Sequence, residues 1–332
     1  MKKIFLLITS LVFLTTIAFP QSKVNVNSLT EYGGKAYKVD DDKPFTGRVF
    51  DLNKSTGKKK MEGQYKNGLK NGKWTYWYGN GQKHSLFIYK NGKSHGKWTK
   101  WYENGKKKGE ETYKDGKRDG KYTRWYENGQ KEEEATIKDG NPDGPFASWY
   151  ENGQKEKEGI YKGVDRWNQP QKIGKWTGWH ENGKKRLEGT FTNGELDGLV
   201  IEWHDNGQKK SEGNYKDGEK DGLYTEWYEN GKKEGKGNYK DGEKDGFWTF
   251  WYENGKKKCE GNFKDGKSDG LVTEWDENGH KWLESTYKND KLNGLETEWN
   301  DNGQKLSEKT FKDGELISKK CWDEDGNETE WD

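Results

Sequence analysis

The sequence predicts an all-β fold: an elongated single-layer antiparallel meander of about eleven tandem 24-residue β-hairpins. Three observations lead there. A Trp followed four residues on by the Gly of an Asn-Gly pair recurs at Trp77, Trp101, Trp125, Trp149, Trp179, Trp203, Trp227, Trp251, Trp275 and Trp299, in steps of 24 residues with one step of 30. The runs between turns are rich in aromatics and Thr, which favour strands, and 45 glycines argue against helices. Hydrophobic residues make up only 27% of the 332 residues, yet 18 Trp, 18 Tyr and 12 Phe supply large rings to bury. A thin sheet faced with rings fits that composition, and the deep aliphatic core of an ordinary enzyme domain does not.

The elements follow in chain order. Lys2-Lys3 precedes an apolar run from Ile4 to Phe19, which reads as an export signal over residues 1–20. No Cys lies near residue 20 to carry a lipid anchor. Residues 21–46 form a lead-in segment, and the array runs from 47 to 332, opening with a variant copy from Gly47 to Tyr65. One unit shows the grammar. The run Gly246-Phe247-Trp248-Thr249-Phe250-Trp251-Tyr252 leads into Asn254-Gly255, and the run from Lys257 to Phe263 leads into the turn Asp265-Gly266-Lys267-Ser268-Asp269-Gly270. Asn-Gly between strand-like runs is a strong hairpin signal. A two-residue Asn254-Gly255 loop would pair Glu253 with Lys256, Tyr252 with Lys257, Trp251 with Lys258 and Trp248 with Gly261. Trp248, Phe250, Tyr252, Gly261 and Phe263 then share one face, and Thr249, Trp251, Lys258 and Glu260 the other. A ring over a strand glycine is good packing, and the same slot is Gly63, Gly159, Gly189, Gly213 and Gly237 in other copies. The ten repeating Trp are assigned as a structural ladder. Six extra residues fall within 162–173, where Arg166 and Trp167 are candidates for a contact loop. The last twelve residues hold six acidic groups and no Lys or Arg, as a solvated end cap would.

The chemistry points to binding. Lys and Arg total 60 against 58 acidic residues, and removal of residues 1–20 leaves 58 against 58. That balance offers no basic excess for nucleic acid. Of five histidines, only His180 and His204 share a slot, about 10 Å apart, too far to hold one metal. The Asp-Gly-x-x-Asp-Gly segments offer two carboxylates each beside lysines, which suits turns better than Ca²⁺. Cys259 and Cys321 lie too many strands apart for a disulfide. With no nucleophile elbow, phosphate loop or zinc motif, the reading is a non-enzyme without cofactor or metal. The positive candidate is an aromatic stripe of Trp74, Tyr78, Trp98, Tyr102, Tyr122, Tyr126, Phe146 and Tyr150, since Tyr and Trp are common interface anchors.

The copy from Glu212-Gly213-Asn214-Tyr215-Lys216-Asp217-Gly218 to Trp227-Tyr228-Glu229-Asn230-Gly231 resembles the bacterial variant of the MORN (membrane occupation and recognition nexus) repeat, and the resemblance spans about residues 45 to 331. Lys43-Pro44-Phe45-Thr46-Gly47 looks like that family's lead-in. The resemblance implies hairpin arrays used for protein association, in some proposals for phospholipid contact, and many bacterial members carry a toxin–antitoxin antitoxin label. The combined expectation is an exported scaffold with a protein partner, in the periplasm, on the cell surface or secreted. Glycan or lipid-headgroup binding, a cytoplasmic antitoxin role and edge-to-edge self-association stand as alternatives.

Overall fold

The computed structural model describes residues 23–329. The export-signal reading of residues 1–20 lies outside them. The chain divides into two compact units, Met1–Gly105 and Lys106–Asp332. Among the described residues all regular structure is strand except one 3₁₀ turn at Val26–Ser28.

In the first unit, the strands Gly47–Leu52, Lys59–Lys66, Gly72–Trp77, Lys83–Lys90 and Gly96–Trp101 pair antiparallel in sequence order. Val24–Asn25 runs parallel beside Gly47–Leu52, and Leu29–Tyr32 pairs with Lys35–Lys38 as a separate hairpin. Phe45, Val49, Met61 and Trp74 are buried together, and Val24, Val26 and Leu29 pack against them. Here aliphatic side chains from outside the array cover part of the sheet.

The second unit is an antiparallel meander from Lys107–Lys114 to Glu315–Trp322, closed by Glu328–Thr329. Each strand pairs with its neighbours in sequence, because the connections are tight turns. Two turn types alternate, and their roles are the reverse of the sequence expectation. Asp265-Gly266 is the two-residue turn, with φ of 49° and 77°. Both residues left-handed is the type I′ signature. At Asn254-Gly255 only Gly255 has positive φ, at 90°. Its N–H donates to the Tyr252 carbonyl at 2.8 Å, and the Tyr252 N–H donates to the Lys256 carbonyl at 2.9 Å. That is a longer loop ending in a left-handed Gly, with a bulge. Trp251 therefore pairs with Lys257 rather than Lys258, while Trp248 still pairs with Gly261 as expected.

The six inserted residues lengthen a hairpin. Lys155–Val164 and Pro170–Trp179 are ten-residue strands, longer than the eight or nine residues of their neighbours. Val164 pairs with Pro170, and the tip is Asp165 to Gln169.

Candidate functional site

The two faces of the second unit differ in chemistry. On the ring face, Trp248 is fully buried. Its ring lies over Gly237 of the preceding strand, where an added Cβ would sit 2.2 Å from the indole. Sequence reasoning placed the ring over Gly261, but a bulge between Lys236 and Asn238 in the pairing swings it the other way. The Trp248 Nε1–H donates to the Asn238 carbonyl at 2.9 Å, capping a group that the bulge frees. Tyr239 meets the indole edge-on at 5.1 Å, and the Lys244 ammonium stands 4.7 Å above it. Each such ring thus has glycine beneath, a ring at its edge and an ammonium above. Trp176 repeats the arrangement over Gly159 with Tyr161 and Lys172, and in the first unit Trp74 does so over Gly63 with Tyr65 and Lys70. Burial pushes the Lys172 and Lys244 ammonium groups below the usual lysine range.

Val200 and Val272 replace the ring and keep Gly189 and Gly261 beneath them, but one copy loses both ring and glycine. Glu296 takes the ring slot, Ser285 the glycine slot and Lys309 the opposite position. The Ser285 hydroxyl donates to Glu296 at 3.2 Å, and the Lys309 ammonium meets Glu296 at 3.2 Å and Glu298 at 2.8 Å. A packing contact has become a satisfied polar one.

The eight-residue stripe proposed from sequence is mostly committed to this packing. Trp74 is buried, and Tyr78, Trp98, Tyr102, Tyr122, Tyr126, Phe146 and Tyr150 are half-buried. Tyr78, Tyr126 and Tyr150 reach into the next repeat, donating to the carbonyls of Trp101, Trp149 and Trp179 at 2.8 Å each. His180 and His204 make the same contact through Nε2, each 2.9 Å from the carbonyls of Trp203 and Trp227. These histidines are Tyr substitutes that keep a ring donor in place.

The ladder Trp lie half-buried on the opposite face. Within each unit a lysine of the preceding hairpin stands over the next ladder ring: Lys155 over Trp179 at 5.4 Å, Lys257 over Trp275 at 5.2 Å. The same ammonium usually pairs with a glutamate three residues on, as Lys257 does with Glu260 at 2.7 Å. Several of these carboxyls, Glu134 and Glu188 among them, are held below the usual range by their lysine hydrogen bonds.

Sequence reasoning missed two features of this ladder face. Leu199, Leu223, Phe247, Leu271 and Leu295 form an exposed apolar row, each immediately after a positive-φ Gly. The signal was present, since that slot is Lys121 and Lys175 in the earlier copies. A groove also opens on this face around Ala147 and Ile160.

The candidate contact loop is the tip of the extended hairpin. The Asp165 carboxylate accepts from the N–H groups of Trp167 and Gln169, both at 2.8 Å. Asn168 holds φ of 61°, in place of the Gly found in the other loops of this shape. Trp167 is 69% exposed and the Arg166 guanidinium stacks 4.9 Å from its centroid.

Comparison with solved structures finds likenesses that span only about a fifth of much longer chains. The crystal structure of TcdB2-TccC3 is 11% identical over 87% of this chain and 18% of that chain, with a TM-score of 0.19. The TcdB2-TccC3-Cdc42 complex is 11% identical over 85% and 17%, with a TM-score of 0.18. The Photorhabdus luminescens Tc holotoxin pore is 10% identical over 85% and 18%, also at 0.18. These likenesses carry no inference for this chain. No curated protein matches it. The profile of the MORN repeat variant matches at residues 94–115, 118–139, 142–162, 172–193, 196–217, 220–241, 244–265, 268–289 and 292–313. With the hairpin register repeating through these segments, the chain belongs to the MORN repeat variant family.

Proposed function

We propose that the chain is a non-catalytic binding scaffold that engages a protein partner, with the Arg166–Trp167 hairpin tip as its anchor. The observation that carries this is the exposure of Trp167 on an ordered turn: at 69% it stands further into solvent than the other exposed rings of its unit, Phe247 at 52% and Trp282 at 42%. A large indole left in water gains nothing for folding, and Trp beside Arg is the usual composition of an interface anchor. Two ten-residue strands hold it in place, so docking costs little ordering entropy. Among the described residues the exposed tip and the open sheet faces are surfaces of the kind that binding uses.

We extend the proposal to location. Lys2-Lys3 and the apolar run to Phe19 support export, and an exported chain is poorly placed for the cytoplasmic antitoxin role that the resemblance raises. The test is site-specific photo-crosslinking in cells from position 169, beside the tip, followed by mass spectrometry. A discrete protein adduct that disappears in Trp167→Ala is the expected result. Capture by purified polysaccharide or liposomes with no protein adduct would overturn the reading.

A further inference from the structure

The ladder face of the second unit holds a groove of about 920 Å³, lined from Lys121 to Glu188. Its two ends are built alike. Glu134 is held between Lys121 and Lys131. Glu188 is held between Lys175 at 2.8 Å and Lys185 at 2.6 Å. The repeat between them breaks the pattern. Glu158 meets Lys155 at 2.6 Å and has no second ammonium, because Pro145 occupies the slot of Lys121 and Lys175. Ala147 likewise replaces the threonine found at Thr123 and Thr177. These two truncations open the groove, and Ile160 adds apolar surface to its floor.

Glu158 is correspondingly exposed. Its side chain is 44% accessible, against 26% for Glu134 and 22% for Glu188. From Leu199 onward the same slot holds Leu or Phe, and the ladder glutamates Glu212, Glu260, Glu284 and Glu308 fall between 23% and 34%. Among the slots that precede a ladder glutamate, only Pro145 lacks both an ammonium and a large side chain.

The first unit shows a ladder glutamate taking its second cation from outside the repeat. Glu62 pairs with Lys59 at 3.2 Å and with Lys23 at 2.8 Å. Lys23 precedes the array and lies 39 residues away in sequence.

We propose that the groove docks an extended segment of a partner protein, and that a lysine or arginine of that segment sets its charge beside Glu158, in the place Pro145 leaves vacant. The stem of that side chain lies over Ala147, Pro145 and Ile160, as amphipathic cations do on apolar surface. The volume is at the upper end of ligand clefts and accommodates a peptide segment rather than a lone side chain. Each flanking triad carries one excess positive charge and the Lys155–Glu158 pair none, so Glu158 is the place in the groove that least opposes a cation, which fixes the register. The inference rests on the protein-binding reading for the nature of the occupant, but the groove and the Trp167 tip are separate surfaces and are tested separately.

The test is an NMR titration of the full chain, observing the indole N–H signals of Trp149 and Trp179, with the peptide acetyl-Leu-Thr-Lys-Thr-Leu-amide as probe. Peptides with norleucine or glutamate in place of lysine are the controls. The lysine peptide is expected to shift both signals saturably, and the controls are not. Glu158→Gln is expected to weaken binding about tenfold, the loss of one charge-assisted hydrogen bond. Pro145→Lys, which gives the groove the residue its neighbours already carry, is expected to weaken it at least as much while leaving the fold intact. Trp167→Ala is expected to leave the titration unchanged. The proposal is overturned if the lysine peptide produces no saturable shift, if either control binds as well, or if Glu158→Gln and Pro145→Lys both bind like the parent. In the first case, loss of the cellular adduct in Trp167→Ala would still support the hairpin tip.

Discussion

A β-carbon at Gly237 would lie 2.2 Å from the Trp248 ring, whereas one at Gly246 would meet nothing within 4 Å. The two positions separate packing from backbone conformation. Gly237→Ala should cost about 1–3 kcal/mol or more through overpacking. Gly246→Ala, at φ of 81°, should cost about 1–2 kcal/mol through backbone strain alone. Denaturant midpoints of the two variants check the order. Titration gives a second expectation at this scale. Burial pushes the Tyr76 hydroxyl up to about 12 and the Cys259 thiol up to about 11, and raises Tyr161, Tyr224 and Tyr239 as well. These groups ionise more easily in the unfolded chain, so the stability they contribute is complete below about pH 9 and is lost as pH rises toward 11–12. Denaturant midpoints should therefore fall between pH 9 and 11, and the tyrosine absorbance midpoint of the folded protein should lie above that of the unfolded chain.

At the scale of the hairpin, neighbouring loops are tied by side chains. Tyr228 donates to the Trp251 carbonyl at 2.7 Å, Asn230 to the Glu253 carbonyl at 2.9 Å and the Lys232 ammonium to the Asn254 carbonyl at 2.8 Å. Tyr228→Phe should lose about 1 kcal/mol, and Tyr228→His should lose less because His180 and His204 already make that bond. Thermal melts of the pair decide it. The strands were legible because period, ring and glycine recur in register, and the Trp248–Gly261 pairing was recovered from them. The turns were only half legible. Asn-Gly and Asp-Gly both suit a type I′ turn, and local sequence does not tell which lies in the two-residue loop. One extra residue in the Asn-Gly loop moved Lys257 opposite Trp251. The covering of the rings was not legible either, since it depends on the bulge beside Gly237 that tips Trp248 away from Gly261. Of the candidate sites, Trp167 could be picked out because it breaks the period. The groove could not, because it is made by what Pro145 and Ala147 lack.

Across the Lys106–Asp332 unit, each hairpin packs on its sequence neighbours, so stability should approximate a sum of hairpin and interface terms. The Lys–Glu pairs of the ladder face join a half-exposed lysine to a partly exposed glutamate and each contributes about 0–1 kcal/mol, so they steer register more than they hold the sheet. Removing residues 219–242 joins Gly218 to Glu243 and preserves the repeat. The shortened chain should fold, with its denaturant m value lowered by about a tenth. The most direct test of the central claim, that 24-residue hairpins zip in register through rings on glycine, is native-state hydrogen exchange resolved along residues 106–329. Slow exchange is expected in the paired strands and fast exchange at the Asn-Gly loops, repeating every 24 residues and displaced by six after the Arg166–Trp167 hairpin. Uniformly fast exchange, or protection with no such period, would contradict it.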